Sequence, residues 1–260
     1  MENKEIFIKK KFIDQNRKTD DSHIYWNNES LEKKKLFVDI DKLKSSQEQQ
    51  FFINELDDIL TSNLLNPKSF LSIGCGNLWI ESNVLNKREP SKLVGIDFSE
   101  HRVHQLAPKS IISSGLNFDI ELICGDILKY DSNEKFDVIY LSKAFHHIES
   151  PIFLLRKLKD LLSDNGIIII TGEHYYSRKV YLACLVRYFA KLVLRKKYRK
   201  TCSFFPEYAM LFPYSLEKGD LHYSLFNYDY FFKKTGMNYK RKINKNIGFK
   251  CFVLSRAQIK

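Results

Sequence analysis

With 260 residues, 44% of them hydrophobic, the chain can bury one sizeable core. It holds no run of about 20 apolar residues of the kind a membrane span needs. Its five cysteines (Cys75, Cys124, Cys184, Cys202, Cys251) are odd in number, scattered and without a CxxC pair. That pattern excludes a disulfide framework and a zinc site, and it points to a reducing cytoplasm.

The lysine-rich opening, Met1 to Asp20, lacks the apolar stretch of a secretory signal. Residues 1–66 read as a polar, helical cap, with one helix over about Ser46 to Leu65 carried by Phe51, Phe52, Leu56, Ile59 and Leu60. Asn66-Pro67 ends it. The texture then changes to short apolar runs alternating with helical segments. Strands are expected at Phe70–Ile73, Lys92–Ile96, Ile120–Cys124, Phe136–Leu141 and Ile167–Ile170. Helices are expected from Gly76 through Leu85, after Ser99, and from Pro151, with Leu155, Leu158 and Leu162 as the inner stripe. Asn165-Gly166 reads as the cap of that last helix. A helical stretch follows, and two β-like runs, Asn238–Ile243 and Phe249–Ser255, close the chain.

Continuous apolar strands separated by helices predict a doubly wound, mostly parallel sheet covered on both faces. The expected organisation is a helical cap over 1–66 and a domain over 67–260, with a substrate-covering helical insertion at about 175–230. Ligands of such sheets bind beyond the carboxyl ends of the strands, and three of those ends carry chemistry. Gly74-Cys75-Gly76 allows a tight strand-to-helix turn and close approach of a ligand to the backbone. Asp97, about 20 residues on, can accept both hydroxyls of a ribose. Asp126, ending the third strand, is placed to accept a proton from an adenine amino group. Any one of these carboxylates could be a helix cap, but three strand ends in order at matching spacing make a pattern.

In LSIGCGNLW, VGIDFS, ICGDI, FDVIYLSKAFHHIESP and LLSDNGIIIITGEH the sequence resembles the class I methyltransferases that use S-adenosylmethionine, with a fainter likeness in GDLHYSLFNYDYFFKKTGM. The resemblance implies a seven-stranded sheet whose last two strands form an antiparallel hairpin. It implies that Gly74, Cys75 and Gly76 line the methionine part of the cofactor, Asp97 and Phe98 the ribose, Asp126 and Ile127 the adenine, and Leu141-Ser142 the region near the sulfonium. Two positions depart from the family: Ser72 stands where an acidic residue is usual, and Leu78 where a third glycine is usual.

The sulfonium is already a strong electrophile, so the protein mainly has to align an acceptor. An amine acceptor needs only to be neutral, whereas a hydroxyl needs a base near the working pH, which favours histidine. The candidates are His146 and His147 after the fourth strand, His174 after the fifth, and His222 in the insertion. A His-His pair ordinarily contributes one packed ring and one exposed one. Tyr25 and Trp26 are candidates to close over the cofactor or to pack as core. Leu141-Ser142-Lys143-Ala144 lacks the Asn-Pro-Pro-Tyr or Asp-Pro-Pro-Tyr of adenine and glutamine amino-methylating enzymes, and it has no cysteine for cytosine C5 chemistry. No metal is expected.

The net charge of +11 is uneven, with nine basic and no acidic residues between Ser177 and Lys200. Val180–Leu194 is apolar apart from Arg187 and Lys191. It reads either as a buried helix or as an interfacial one whose basic residues face anionic head groups. The expected function is methylation of a small molecule or glycan at oxygen or nitrogen, a lipid- or nucleotide-linked sugar among the candidates, in the cytoplasm or at the membrane periphery. An RNA methyltransferase and a non-catalytic binding protein on the same fold stand as alternatives. Nothing in the sequence sets an oligomeric state.

Overall fold

All seven runs expected as strands are strands in the computed structural model, which describes residues 8–12, 44–63, 65–148, 150–174, 202–205, 210–215, 220–221, 223–244 and 248–256. In chain order the strands are β1 (Ile8–Phe12), β2 (Ser69–Ile73), β3 (Lys92–Asp97), β4 (Asp119–Cys124), β5 (Phe136–Ser142), β6 (Leu162–His174), β7 (Cys202–Phe205), β8 (Met210–Ser215), β9 (Asp220–Leu221), β10 (Asn238–Asn244) and β11 (Phe249–Ser255). The described helices are α1 (Gln47–Ser62), α2 (Trp79–Leu85), α3 (Ala107–Ser113), α4 (Pro151–Leu161) and α5 (Leu225–Lys234). A π-helical turn, Arg102–Leu106, leads into α3.

The main sheet runs β1-β4-β3-β2-β5-β6-β11-β10. Strands β1 to β6 pair in parallel, and β11 lies antiparallel between β6 and β10. The order reverses at β2, so the carboxyl ends of β2, β3 and β5 frame a crevice. Strand alternation divides the buried residues into two layers. Phe70, Leu93, Ile120, Leu122, Val138 and Ile169 face α1, α2 and α3. Leu71, Ile73, Val94, Ile139, Leu141, Ile168 and Phe252 face α4 and α5.

Local signals explain the helix starts. The Ser46 hydroxyl accepts from the Gln49 N–H at 3.3 Å to cap α1, Pro151 occupies the first turn of α4, and Ser224 with Asn227 forms a capping box on α5.

Three expectations are corrected. The seven-stranded sheet has an eighth member, β1, within the residues read as wholly helical. Its IKKKF sequence hides the strand, because lysines are what an exposed sheet edge needs. Lys11 is exposed and pairs with Glu121 at 2.5 Å. Secondly, the insertion expected to be helical contains the three-stranded antiparallel sheet β7-β8-β9. Thirdly, Asn165-Gly166 is not the cap of α4, which ends at Leu161; both residues lie within β6, in the register shift between the pairings of Phe136 and Val138. Gly166 is required there by crowding, since a Cβ would lie 2.8 Å from the Phe136 carbonyl oxygen.

No described helix is long and apolar enough to cross a membrane. Tyr25, Trp26, His222 and the basic stretch 177–200 lie outside the described residues.

Candidate active site

The turn after β2 is built on backbone that favours glycine: Gly74 and Gly76 have φ of 62° and 53°. A Cβ on Gly74 would stand 2.6 Å from the Ala144 Cβ, so this glycine lets the turns after β2 and β5 meet. A Cβ on Gly76 would meet only the Arg102 Nη1, at 3.6 Å, so this side of the turn is open to a ligand. The Cys75 thiol between them is buried, and burial pushes its pKa well up, so it is no nucleophile.

Asp97 fastens this turn. Its Oδ2 accepts from the Gly76 N–H at 2.8 Å and its Oδ1 from the Ser99 N–H at 2.9 Å. Each carboxylate oxygen still has a lone pair for a ligand hydroxyl. The Gly125 N–H donates to the Asp97 carbonyl at 2.9 Å, which draws the end of β4 in. The Phe98 carbonyl accepts from the Cys124 thiol at 3.5 Å. Asp126 is buried and caps the short turn Ile127–Lys129 by accepting from the Leu128 N–H at 2.9 Å; Ile127 is core. Leu141 is also core, and Ser142 ends β5 half-buried.

The two departures acquire reasons. Leu78 holds a left-handed φ of 56°, the conformation a glycine would take there. That costs about 1–2 kcal/mol for a non-glycine residue. Its side chain is fully buried, and such burial is worth about 1.5–3 kcal/mol, so leucine is tolerated. Ser72, in place of the usual acidic residue, donates its hydroxyl to the buried carboxylate of Glu81 on α2.

Burial, with help from Asp97 and against the Ser72 hydrogen bond, raises the Glu81 carboxyl from its ordinary 4.5 to about 7. The other groups titrating near it are the Cys75 thiol and the Tyr140 phenol, both pushed further up by burial. An acid whose folded pKa is raised favours folding at low pH and loses that contribution as pH climbs from 4.5 to about 7. Glu81→Gln should therefore match the wild type in stability below that window. Above it the variant should be more stable by about 3 kcal/mol, read from denaturant titrations across pH.

His146 and His147 form a short turn after β5 with ring centroids 4.2 Å apart. His146 is the packed ring, 5% exposed, and His147 the half-buried one. Sequence reasoning missed the group that organises them. Glu173, fully buried on β6, accepts from the His146 Nδ1 at 3.1 Å, the Tyr228 hydroxyl at 2.7 Å and the Phe145 N–H at 3.2 Å. Burial pushes the Glu173 carboxyl up, but His146, its hydrogen bond and that of Tyr228 outweigh burial and hold it below its ordinary range. Lys250, paired with Glu173 across β11, is also buried, and its ammonium is lowered to about 8 by burial. It donates to the Tyr223 carbonyl at 3.2 Å and lies 5.0 Å over the Tyr228 ring. His174 is the last residue of β6, and its side chain is outside the described residues.

Helix α1 is tied to the same edge. Lys143, with an unusual φ of 53°, pairs with Glu48 and lies 5.3 Å over Phe52. The Thr171 hydroxyl donates to the buried Glu55.

Residues 71–168 match the family model described as a methyltransferase domain. The chain is similar to methyltransferase domains over that stretch. It is 29% identical over 103 residues to malonyl-[acyl-carrier protein] O-methyltransferase 2 of Ilyobacter polytropus, covering 40% of this chain and 38% of that protein. It is 30% identical over 134 residues to the tRNA U34 carboxymethyltransferase of Campylobacter jejuni, covering 50% of this chain and 44% of that protein. The chain spans less than half the length of the curated relatives it matches first. The magnesium protoporphyrin IX methyltransferase of Synechocystis PCC 6803, solved with bound SAH, superposes with a TM-score of 0.59 at 12% identity, covering 90% of this chain and 98% of that one. S-adenosylmethionine is the cofactor that the sequence resemblance implies. The residues present fit it: an open left-handed turn at Gly76, the doubly anchored carboxylate of Asp97 and the buried Asp126 stand on three adjacent strand ends.

Proposed function

We propose that the chain transfers a methyl group from S-adenosylmethionine to a hydroxyl of a small molecule or glycan, with His146 as the base. The observation that carries this reading is the pairing of the His146 Nδ1 with the ionised, fully buried Glu173. A carboxylate there holds the proton on Nδ1 and leaves Nε2 as the nitrogen that takes the acceptor's proton. Tyr228 and the Phe145 N–H fix Glu173, so the imidazole is oriented before any acceptor arrives.

When bound, the cofactor supplies the electrophilic methyl group. On the chain's own side, Gly74, Gly76, Asp97 and Asp126 hold and orient it, Ser142 ends the strand beside it, and His146 accepts the proton. An amine acceptor would give Glu173 and His146 nothing to do.

A second reading, transfer RNA as acceptor, is favoured by the Campylobacter relative and by the net charge of +11. One experiment separates the two. Methyl transfer from labelled S-adenosylmethionine is measured with hydroxylated acids, phenols and sugars on one side and bulk transfer RNA on the other. Label in the small hydroxyl compounds, insensitive to salt, is the expected result. Label only in RNA, lost steeply between 50 and 200 mM salt, would replace this reading with the second.

A further inference from the structure

Among the described residues, Glu81 is a buried carboxyl group at the glycine turn with no ion pair to a lysine or arginine. It is 3% exposed, its carboxylate accepts from the Ser72 hydroxyl, and its other charged neighbour is Asp97, a second carboxylate. A buried carboxylate held by neutral donors beside a like charge is costly to the free protein. Such a group is made good by a cation that arrives with a ligand. Ser72 lies two residues before Gly74, so the carboxyl is held at the base of the open turn.

We propose that Glu81 binds the α-ammonium group at the amino-acid end of the cofactor. This assignment rests on the cofactor reading above. It makes Glu81 a binding residue drawn from helix α2, in the place that Ser72, on the strand, leaves without a charge. Asp97 is the carboxylate of the ribose end and Glu81 that of the amino-acid end. The two are separated by the Gly74-Cys75-Gly76 turn, and Asp97 anchors the Gly76 end of it.

The test compares two probes by calorimetric titration: S-adenosylhomocysteine, which carries the ammonium, and 5′-methylthioadenosine, which lacks the amino-acid end. Glu81→Gln should weaken S-adenosylhomocysteine by roughly 10- to 100-fold, the loss of one charge-assisted hydrogen bond, and leave methylthioadenosine within about twofold. The exchanged pair Ser72→Asp with Glu81→Ser should recover most of that affinity, and it decides the matter should Glu81→Gln fail to fold. Unchanged S-adenosylhomocysteine binding by Glu81→Gln, equal losses for both probes, or an exchanged pair as weak as the single variant would overturn the assignment. A wild-type protein that binds neither probe would overturn the cofactor reading itself, and this assignment with it.

Discussion

His146→Ala is expected to lower kcat by about 10²- to 10⁴-fold while leaving S-adenosylhomocysteine affinity within twofold, because it removes the proposed base and none of the groups proposed to hold the cofactor. Glu173→Gln keeps the shape but removes the charge that holds the imidazole proton on Nδ1. Its amide can accept from only one side, while three donors converge on the site: the His146 ring, the Tyr228 hydroxyl and the Phe145 N–H. The variant should lose kcat comparably. It should also lose about 1–3 kcal/mol of stability, the cost of leaving a buried donor unmatched. His147→Ala is the control. Its ring packs on His146, and it is the His146 ring that donates to Glu173, so its effect should be several-fold at most. Rates at saturating cofactor, with melting curves for each variant, decide this. Activity lost with His147 and retained without His146 would move the base to the neighbouring ring; activity retained without either would mean that the acceptor needs no base.

Gly74→Ala should be a strongly damaging small change. Its Cβ would stand 2.6 Å from the Ala144 Cβ, and the residue holds a left-handed φ of 62°. The left-handed backbone alone costs about 1–2 kcal/mol, and forcing the two turns apart adds about 1–3 kcal/mol. Ala144 immediately precedes the turn that carries His146, so the displacement reaches both halves of the site. Gly115→Ala isolates the backbone cost, since that glycine has a φ of 67° and nothing within 4 Å of a Cβ. The expected result is a larger fall in denaturation midpoint for Gly74→Ala than for Gly115→Ala, with cofactor affinity lost only in the former. Equal losses in both would mean that the turns after β2 and β5 do not depend on this contact.

The strands that position the cofactor were legible because burial on both faces writes them as unbroken apolar runs, bounded at Gly74, Asp97 and Asp126. β11 was equally plain, while β10, NYKRKIN, is no apolar run and was read as β-like beside it. β1 was not, because an edge strand guarded by three lysines has the composition of a solvated helix or loop. The capping role given to Asn165-Gly166 failed on geometry. The pair reads as a turn, but it lies in a β-bulge where Gly166 is demanded by the Phe136 carbonyl.

The acceptor half of the site was half legible. His146 and His147 stood out as a pair, but nothing local marks which ring is held. That is settled by Glu173, 27 residues away, and Tyr228, 82 residues from His146, groups joined only by the sheet and α5. Glu173 sits beside the His174 that the sequence singled out, and its signal was a lone acid closing an apolar strand. The Glu81 carboxylate was missed for a related reason. An acid in the first turn of a helix is ordinarily a favourable surface charge, and only its contact with Ser72 shows it turned inward.

The measurement that tests the account most directly is calorimetric titration of the full chain with S-adenosylhomocysteine, alongside Asp97→Ala. Micromolar binding by the wild type is expected, with thermal stabilisation worth about 2.7 kcal/mol at 100 times the dissociation constant. Both should be abolished by removing the carboxylate that accepts from Gly76 and Ser99. No heat and no stabilisation with the ligand in large excess would contradict it, and the chain would then be a binding protein on a methyltransferase fold.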